Sequence, residues 1–315
     1  MNKYFTAIAL KTLLAATSVL SLVSTTGCKE ESLAPSHADI NFFEVDDDDR
    51  SVTGELRRSF FAESGCYLLF DATLRKGDVT KELNINYGVT KEGKEYYDSE
   101  LIRYVYIDDD ADRIGATTFI REKVLPYMSK DRLPYSLLLV DTIVSYNYDK
   151  KLKTYNMEKP DKKKVIIHGL SVTAIAGLKG IQTKDEGAQQ KQQKEILSAM
   201  IRRSLSLLDE SAFEVFYSVS LPYYDKSYDK DSADMPDVKD LKELGFLKAY
   251  SFRPKERMSF YPKDKDKSTF INELLSAHES VWRTKYAEYP LVLTKLDALK
   301  KLLDDMGYNL DYLKA

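Results

Sequence analysis

Histidine is scarce in this chain, with only His37, His168 and His278 in 315 residues. A hydrolytic zinc helix needs two imidazoles at i and i+4, with a glutamate between them as general base. His278-Glu279 supplies the first half, but Trp282 stands at the second ligand position and an indole cannot bind zinc that way. Cysteine is scarcer still: Cys28 and Cys66. No Gly-x-Ser-x-Gly elbow is present, Cys66 carries no nucleophile signature, and Gly177-Leu-Lys-Gly180 lacks the spacing of a phosphate-cradling loop. Carboxylate pairs of the glycosidase kind are not diagnostic among 50 acidic residues. A basic excess is missing as well: the formal net charge is −3. That argues against a nucleic-acid binder. After the first 28 residues no segment is apolar enough to span a bilayer.

The first 28 residues carry the plainest signal. Lys3 gives a short basic start, and Phe5 to Val23 is mostly apolar, interrupted by Lys11. That is too short for a comfortable span and fits a secretory leader. Thr26-Gly27-Cys28 then resembles a bacterial lipobox, with Thr25 at the usual leucine position. The reading is a signal peptide over 1–27 and lipidation, palmitate included, at Cys28. More than one acyl chain at ~0.8 kcal/mol per buried methylene anchors stably. Without Lys3 and Lys11 the remaining chain has 45 basic against 50 acidic residues, a net of −5. Cys66 is then alone, so no internal disulfide forms and stability rests on a core.

Residues 28–50 are polar and acidic, ending in the Asp46–Asp49 run, and read as a flexible tether with a reach of about 25 Å. The folded domain is expected over 51–315. It should open with a helix over 55–63 stopped by Gly65, then strands over 67–70, 83–87 and 101–107. Asp108–Asp112 lacks the glycine and terminal glutamate of a calcium loop and is expected to cap the next helix, which ends near Pro126. Tyr135 to Asp141 is a continuous apolar run and predicts a central strand, extended by 143–148. A charged loop over 149–164, one strand over 165–176 and a long helix over 189–208 follow. Residues 223–237 read as a tyrosine-studded loop, and Val238 begins a short helix that Gly245 ends. Ser276-x-x-Glu279 has the spacing of a capping box. Pro290 suits a first helical turn, and Val292, Leu293, Leu296, Leu299, Leu302, Leu303 and Met306 form an apolar stripe that stops at Gly307.

Several stretches together resemble one family, the zinc-binding metallopeptidase-like, substrate import-associated lipoproteins of Bacteroidetes. They are the lipobox, Phe60-Phe61-Ala-Glu-Ser-Gly65 with Tyr67-Leu-Leu-Phe-Asp71, and Val124-Leu-Pro-Tyr127 with Pro134-Tyr-Ser-Leu-Leu-Leu-Val-Asp141. Lys285-Tyr-Ala-Glu-Tyr-Pro-Leu-Val-Leu293 and Met306-Gly-Tyr-Asn-Leu310 complete the set. The resemblance implies an α+β, zincin-like domain with a mixed sheet and a helical C-terminal part. It also implies an outer-membrane lipoprotein, and Lys29-Glu30-Glu31 directly after the cysteine resembles the acidic start of Bacteroidetes lipoproteins that are often surface-exposed. Its partners would be the membrane, through the lipid on Cys28, and a TonB-dependent transporter with its partner lipoprotein. The family's His-Glu-x-x-His helix corresponds here to Glu195-Ile-Leu-Ser-Ala-Met-Ile-Arg-Arg203, which has no histidine. No catalytic, cofactor or metal residue carries over.

The expectation is therefore a non-enzymatic envelope lipoprotein that binds a protein, peptide or glycan beside an import system. One alternative is an active zinc metallopeptidase or other hydrolase with an atypical site, for instance His278 with carboxylates around a cleft. The other is a structural component of a lipoprotein complex, marked by an exposed apolar patch.

Overall fold

The computed structural model describes residues 40–83, 100–149, 151, 154–158, 160 and 162–314. The leader over 1–27, Cys28, His37, the tether up to residue 39 and most of the strand expected over 83–87 lie outside them. Residues Phe42–Ala315 form one unit.

Residues 42–50 pack onto that unit and are not a free tether. Phe42 is buried. The guanidinium of Arg57 donates to the Phe43 carbonyl at 2.9 Å, and that of Arg58 donates to the carbonyls of Asp46 and Asp49. Asp46 also pairs with Lys76 at 3.1 Å. The acidic run repels itself, but Arg58 in the next helix holds its backbone at both ends, and Arg57 holds the residue three positions before it. That helix, α1 (Val52–Ser64), is capped by Ser51, whose Oγ accepts from the Gly54 N–H at 3.0 Å.

Strand β1 (Tyr67–Leu69) follows, then a hairpin of β2 (Thr73–Lys76) and β3 (Val79–Glu82), and β4 (Glu100–Tyr106). Asp109 caps α2 (Asp110–Phe119) as the sequence predicts, accepting from the N–H groups of Ala111 and Asp112 at 2.8 and 3.1 Å. One wide turn over Ile120–Val124 then buries Ile120 and Val124 before a tighter turn takes in Pro126.

The apolar run becomes the central strand β5 (Ser136–Asp149), with Leu137 to Val140 inaccessible to solvent. Three short strands come next: β6 (Thr154–Tyr155), β7 (Lys162–Lys164) and β8 (Ile166–His168). Then β9 (Thr173–Ile175) completes a seven-stranded mixed sheet. β1 and β9 flank β5 in parallel, with Leu68 opposite Leu137 and Ala174 opposite Leu138. β4 and β7 pair antiparallel with its second half.

Two expectations are corrected here. The charged stretch 149–164 is not all loop, because β7 lies against β5 at a sheet margin where lysine is tolerated. The single strand over 165–176 is two strands, folded back so that the Gly169 N–H donates to the Val172 carbonyl at 2.8 Å. Both arms are apolar, so hydropathy alone does not reveal the turn.

Asp185 caps α3 (Glu186–Ser206), which buries Ile196, Leu197, Met200, Ile201 and Leu205. A short helix α4 (Glu214–Ser218) leads to a three-stranded sheet of β10 (Ser227–Asp229), β11 (Ser251–Arg253) and β12 (Arg257–Ser259). Its first strand lies in the stretch read as a tyrosine-rich loop. The short helix expected from Val238 is a single turn over Leu241–Leu244, boxed by Asp240 and Glu243 and ended by Gly245.

Three helices finish the chain: α5 (Lys263–Leu274), α6 (Glu279–Lys285) and α7 (Pro290–Asp305). The Ser276–Glu279 capping box is not formed. His278 caps α6 through Nδ1, which accepts from the Ser280 N–H at 3.3 Å, while Ser276 Oγ donates back to the Glu273 carbonyl at 2.7 Å. Pro290 opens α7 as expected.

Beyond α7 the chain is strapped to the loop before β5. The Ser129 N–H donates to the Gly307 carbonyl at 2.9 Å, and the Asn309 N–H to the Tyr127 carbonyl at 3.0 Å. Gly307 sits at φ +82°, and a Cβ there would meet Ser129 Cβ at 2.6 Å. Gly307→Ala is expected to cost about 1–3 kcal/mol, from left-handed strain plus the clash. Urea unfolding checks this, and a loss below about 0.5 kcal/mol would mean the strap gives way freely.

The result is an α+β domain with a mixed sheet and a helical C-terminal part. No helix among the described residues is long and apolar enough to cross a membrane.

Candidate functional site

The reversal between β8 and β9 builds one wall of a cleft. Ser136 Oγ, buried at the start of β5, donates to the Ser171 carbonyl at 2.8 Å and fixes the turn. His168 ends β8, with Nδ1 3.3 Å from Thr173 Oγ1. The opposite wall is the last turns of α3, through Met200, Arg203, Ser204 and Leu207. Ser204 Oγ meets the Tyr308 hydroxyl at 2.6 Å, so the strap after α7 closes one side. Asp131, Arg132 and Tyr135 complete a volume of about 270 Å³.

The rim is apolar and open: Leu170 is 84% exposed, Leu207 67% and Tyr135 51%. Arg132 Nε donates to the Met306 carbonyl at 3.2 Å, which leaves its terminal nitrogens to the cleft. Neither Arg132 nor Arg203 has a carboxylate in ion-pair range among the described residues.

Burial lowers the pKa of His168 below its ordinary value, and the charge of Arg203 adds to that; the nearby Ala199 carbonyl opposes them more weakly. Its Nε2 makes no well-formed hydrogen bond among the described residues. His168 is therefore a neutral, half-buried imidazole on the cleft wall. Segment 195–203, which the family resemblance sets at the zinc position, does reach this cleft, but through Met200 and Arg203.

His278 lines a separate hollow of about 280 Å³ with Glu279, Trp282, Lys300, Asp304 and Asp311. Its carboxylates are committed. Glu279 holds Arg283 at 2.6 Å, Asp304 holds Lys300 at 2.6 Å, and Asp311 holds Lys314 at 2.7 Å. None is left as an unpaired base. A third hollow, about 640 Å³, gathers Asp46, Asp49, Asp71 and Asp110 with Arg57, Arg75 and Arg113. These acids are also engaged: Asp49 and Asp71 accept backbone N–H groups, and Asp110 pairs with Arg113 at 3.2 Å. No group of three or more metal-ligating side chains occurs among the described residues. Cys66 is buried, and burial pushes its thiol up to about 12, far from a nucleophile.

A feature with no counterpart in the sequence reading lies deeper. Lys295 of α7 and Asp266 of α5 form an ion pair at 2.7 Å with both side chains at 0% exposure. The Tyr224 hydroxyl donates to Asp266 Oδ2 at 2.8 Å and accepts from Lys295 Nζ at 3.0 Å. Lys295 Nζ also lies 4.6 Å from the ring centre of Phe246, 4.8 Å from Phe216 and 5.1 Å from Phe270. Burial pulls Lys295 down to about 8 and pushes Asp266 up, against their mutual attraction. Both side chains are inaccessible to solvent, so the pair acts within the core.

Comparison of the chain with protein-family models, with curated proteins and with solved structures gives no match.

Proposed function

We propose that this chain is a membrane-anchored envelope lipoprotein, lipidated at Cys28, whose zincin-like α+β domain is a binding module without zinc chemistry. Its ligand is an extended protein or peptide segment, held where β8 meets the cleft beside α3, and its setting is the neighbourhood of a TonB-dependent import system. One observation carries the reading: no strand pairs with the outer edge of β8 among the described residues, and that edge runs into a cleft with an open apolar rim. Unpaired strand edges are the usual docking line for an added strand, with the backbone supplying affinity and pockets supplying selectivity.

A glycan is less well served. The rings near the rim are turned on one another, with Phe61 stacked on Tyr67 at 4.3 Å and Tyr135 edge-on to Phe43 at 5.0 Å. Sugar stacking needs open ring faces. Catalysis is disfavoured by the commitment of the carboxylates around His278 and by the burial of Cys66.

Metal analysis and peptide-cleavage assays of the purified protein test the non-catalytic half of the reading. The expected result is no stoichiometric zinc and no cleavage; one zinc per chain with cleavage sinks it. A photo-crosslinking residue at Leu170 in the native host tests the docking half, with the same group at exposed Leu291 as control. Capture of a partner from position 170 alone is expected, and equal capture from both positions refutes it.

A further inference from the structure

We propose that the bound segment carries a carboxylate, and that Arg203 and Arg132 are the groups that hold it. This rests on the edge-docking reading above and adds the chemistry of the ligand. The cleft lies at the His168 end of β8, not along its length. A segment paired with this three-residue strand therefore brings its end, or a side chain near its end, into the cleft that both arginines line.

Arg132 is held by the Met306 carbonyl through Nε alone, so the fork of its terminal nitrogens stays available for a planar anion. Arg203 is exposed on the opposite wall, with no carboxylate in ion-pair range among the described residues, so its guanidinium can take the same anion. Its position in the last turn of α3 complements the helix dipole, but that offsets only about half a unit charge. The charge left over already acts on a neighbour, since it helps keep His168 neutral. Among the described residues Asp131 is the only acid on the cleft wall and pairs with neither arginine, so the two guanidiniums outnumber it. Leu170, Val172, Met200 and Leu207 line the same cleft and suit an apolar side chain next to the anion. The carboxylate has two sources, a chain terminus or an Asp or Glu side chain, and the recognition chemistry is shared.

The test titrates the purified full-length protein with three N-acetylated, strand-forming hexapeptides ending in leucine. One is the free acid, one the C-terminal amide, and one the amide with glutamate in the penultimate position. At least one carboxylate-bearing peptide is expected to bind about tenfold more tightly than the plain amide. Preference for the free acid alone names a chain terminus; equal preference for the glutamate peptide names a side chain. Arg203→Gln and Arg132→Gln should each shrink the ratio to about twofold or less without weakening the plain amide. Arg202→Gln, in the same helical turn but bonded to Asn272 outside the cleft, should leave the ratio intact. Equal affinity for all three peptides overturns the carboxylate site while leaving edge docking in place. No binding by any of them removes the docking reading and this inference with it.

Discussion

Lys295→Met is expected to be among the most damaging single substitutions in the protein, costing about 3–5 kcal/mol. The lysine holds Asp266 where neither side chain touches solvent, and Asp266 Oδ1 has no hydrogen-bond partner at all among the described residues. Removing the cation leaves a carboxylate among aromatic rings with only the Tyr224 hydroxyl to support it. The carboxylate then protonates, and that sets the pH dependence. Asp266 already sits above the usual carboxylate range through burial. Without Lys295 the folded variant keeps that proton to higher pH than the unfolded chain, which loses it near 3.8. The folded state then binds more protons above that pH, so the variant loses stability as pH rises and its deficit shrinks towards pH 4. Denaturant unfolding at pH 5 and pH 7 reads this directly. The double variant Lys295→Met, Asp266→Leu should recover most of the loss, because removing both charges also removes the cost of desolvating them. A single variant within 1 kcal/mol of the parent, or a double variant as weak as the single, contradicts the account.

Completing the zinc motif should fail. Trp282→His writes His-Glu-x-x-His into α6, yet two features forbid a metal there. His278 precedes the helix in extended conformation, at φ −61° and ψ 156°, with its Nδ1 engaged as the cap. The two imidazoles would therefore not share one helical face. Position 282 also points into the core, since Trp282 is buried. Replacing that indole with a smaller polar ring leaves a cavity and an imidazole without partners, for a loss of about 3–5 kcal/mol. Calorimetric titration with zinc should show no site beyond that of the parent, together with a markedly lower melting temperature. Tight, stoichiometric zinc with unchanged stability would show that the helix starts earlier than His278.

How much of this was legible depended on how local the cause was. Asp109 caps its own helix, Pro290 opens its own, and the first half of β5 is apolar because it is buried. Each of these is written within a few residues. Lys295 illustrates the opposite case. It falls between Val292 and Leu296 on the buried side of α7, yet the apolar stripe was traced through its neighbours and passed over it. Its address was visible; its partners, Asp266 and Tyr224, were not, because only the tertiary fold brings them together. The cleft was hidden for the same reason. His168 stands out as one of three histidines, but Arg132, Arg203 and Tyr308 come from three distant segments and no spacing announces them. The tether was misjudged at residues 42–50 because their acidity was weighed without Arg57 and Arg58. The frame implied by the family resemblance remains a proposal, whereas its coarser form, a mixed sheet with a helical C-terminal part, is what the chain adopts.

The strap between the loop before β5 and the residues after α7 bears on the order in which the molecule is assembled. Ser129 and Met306 touch across 177 positions, and the Tyr308 hydroxyl closes the cleft against Ser204. Such distant partners make closure slow and keep it late. During synthesis the first half of the chain must wait, with the central sheet's loop unsealed, until residues 306–309 arrive. The cleft is therefore among the last features to take shape, and a chain stalled short of that point lacks the wall that Tyr308 supplies.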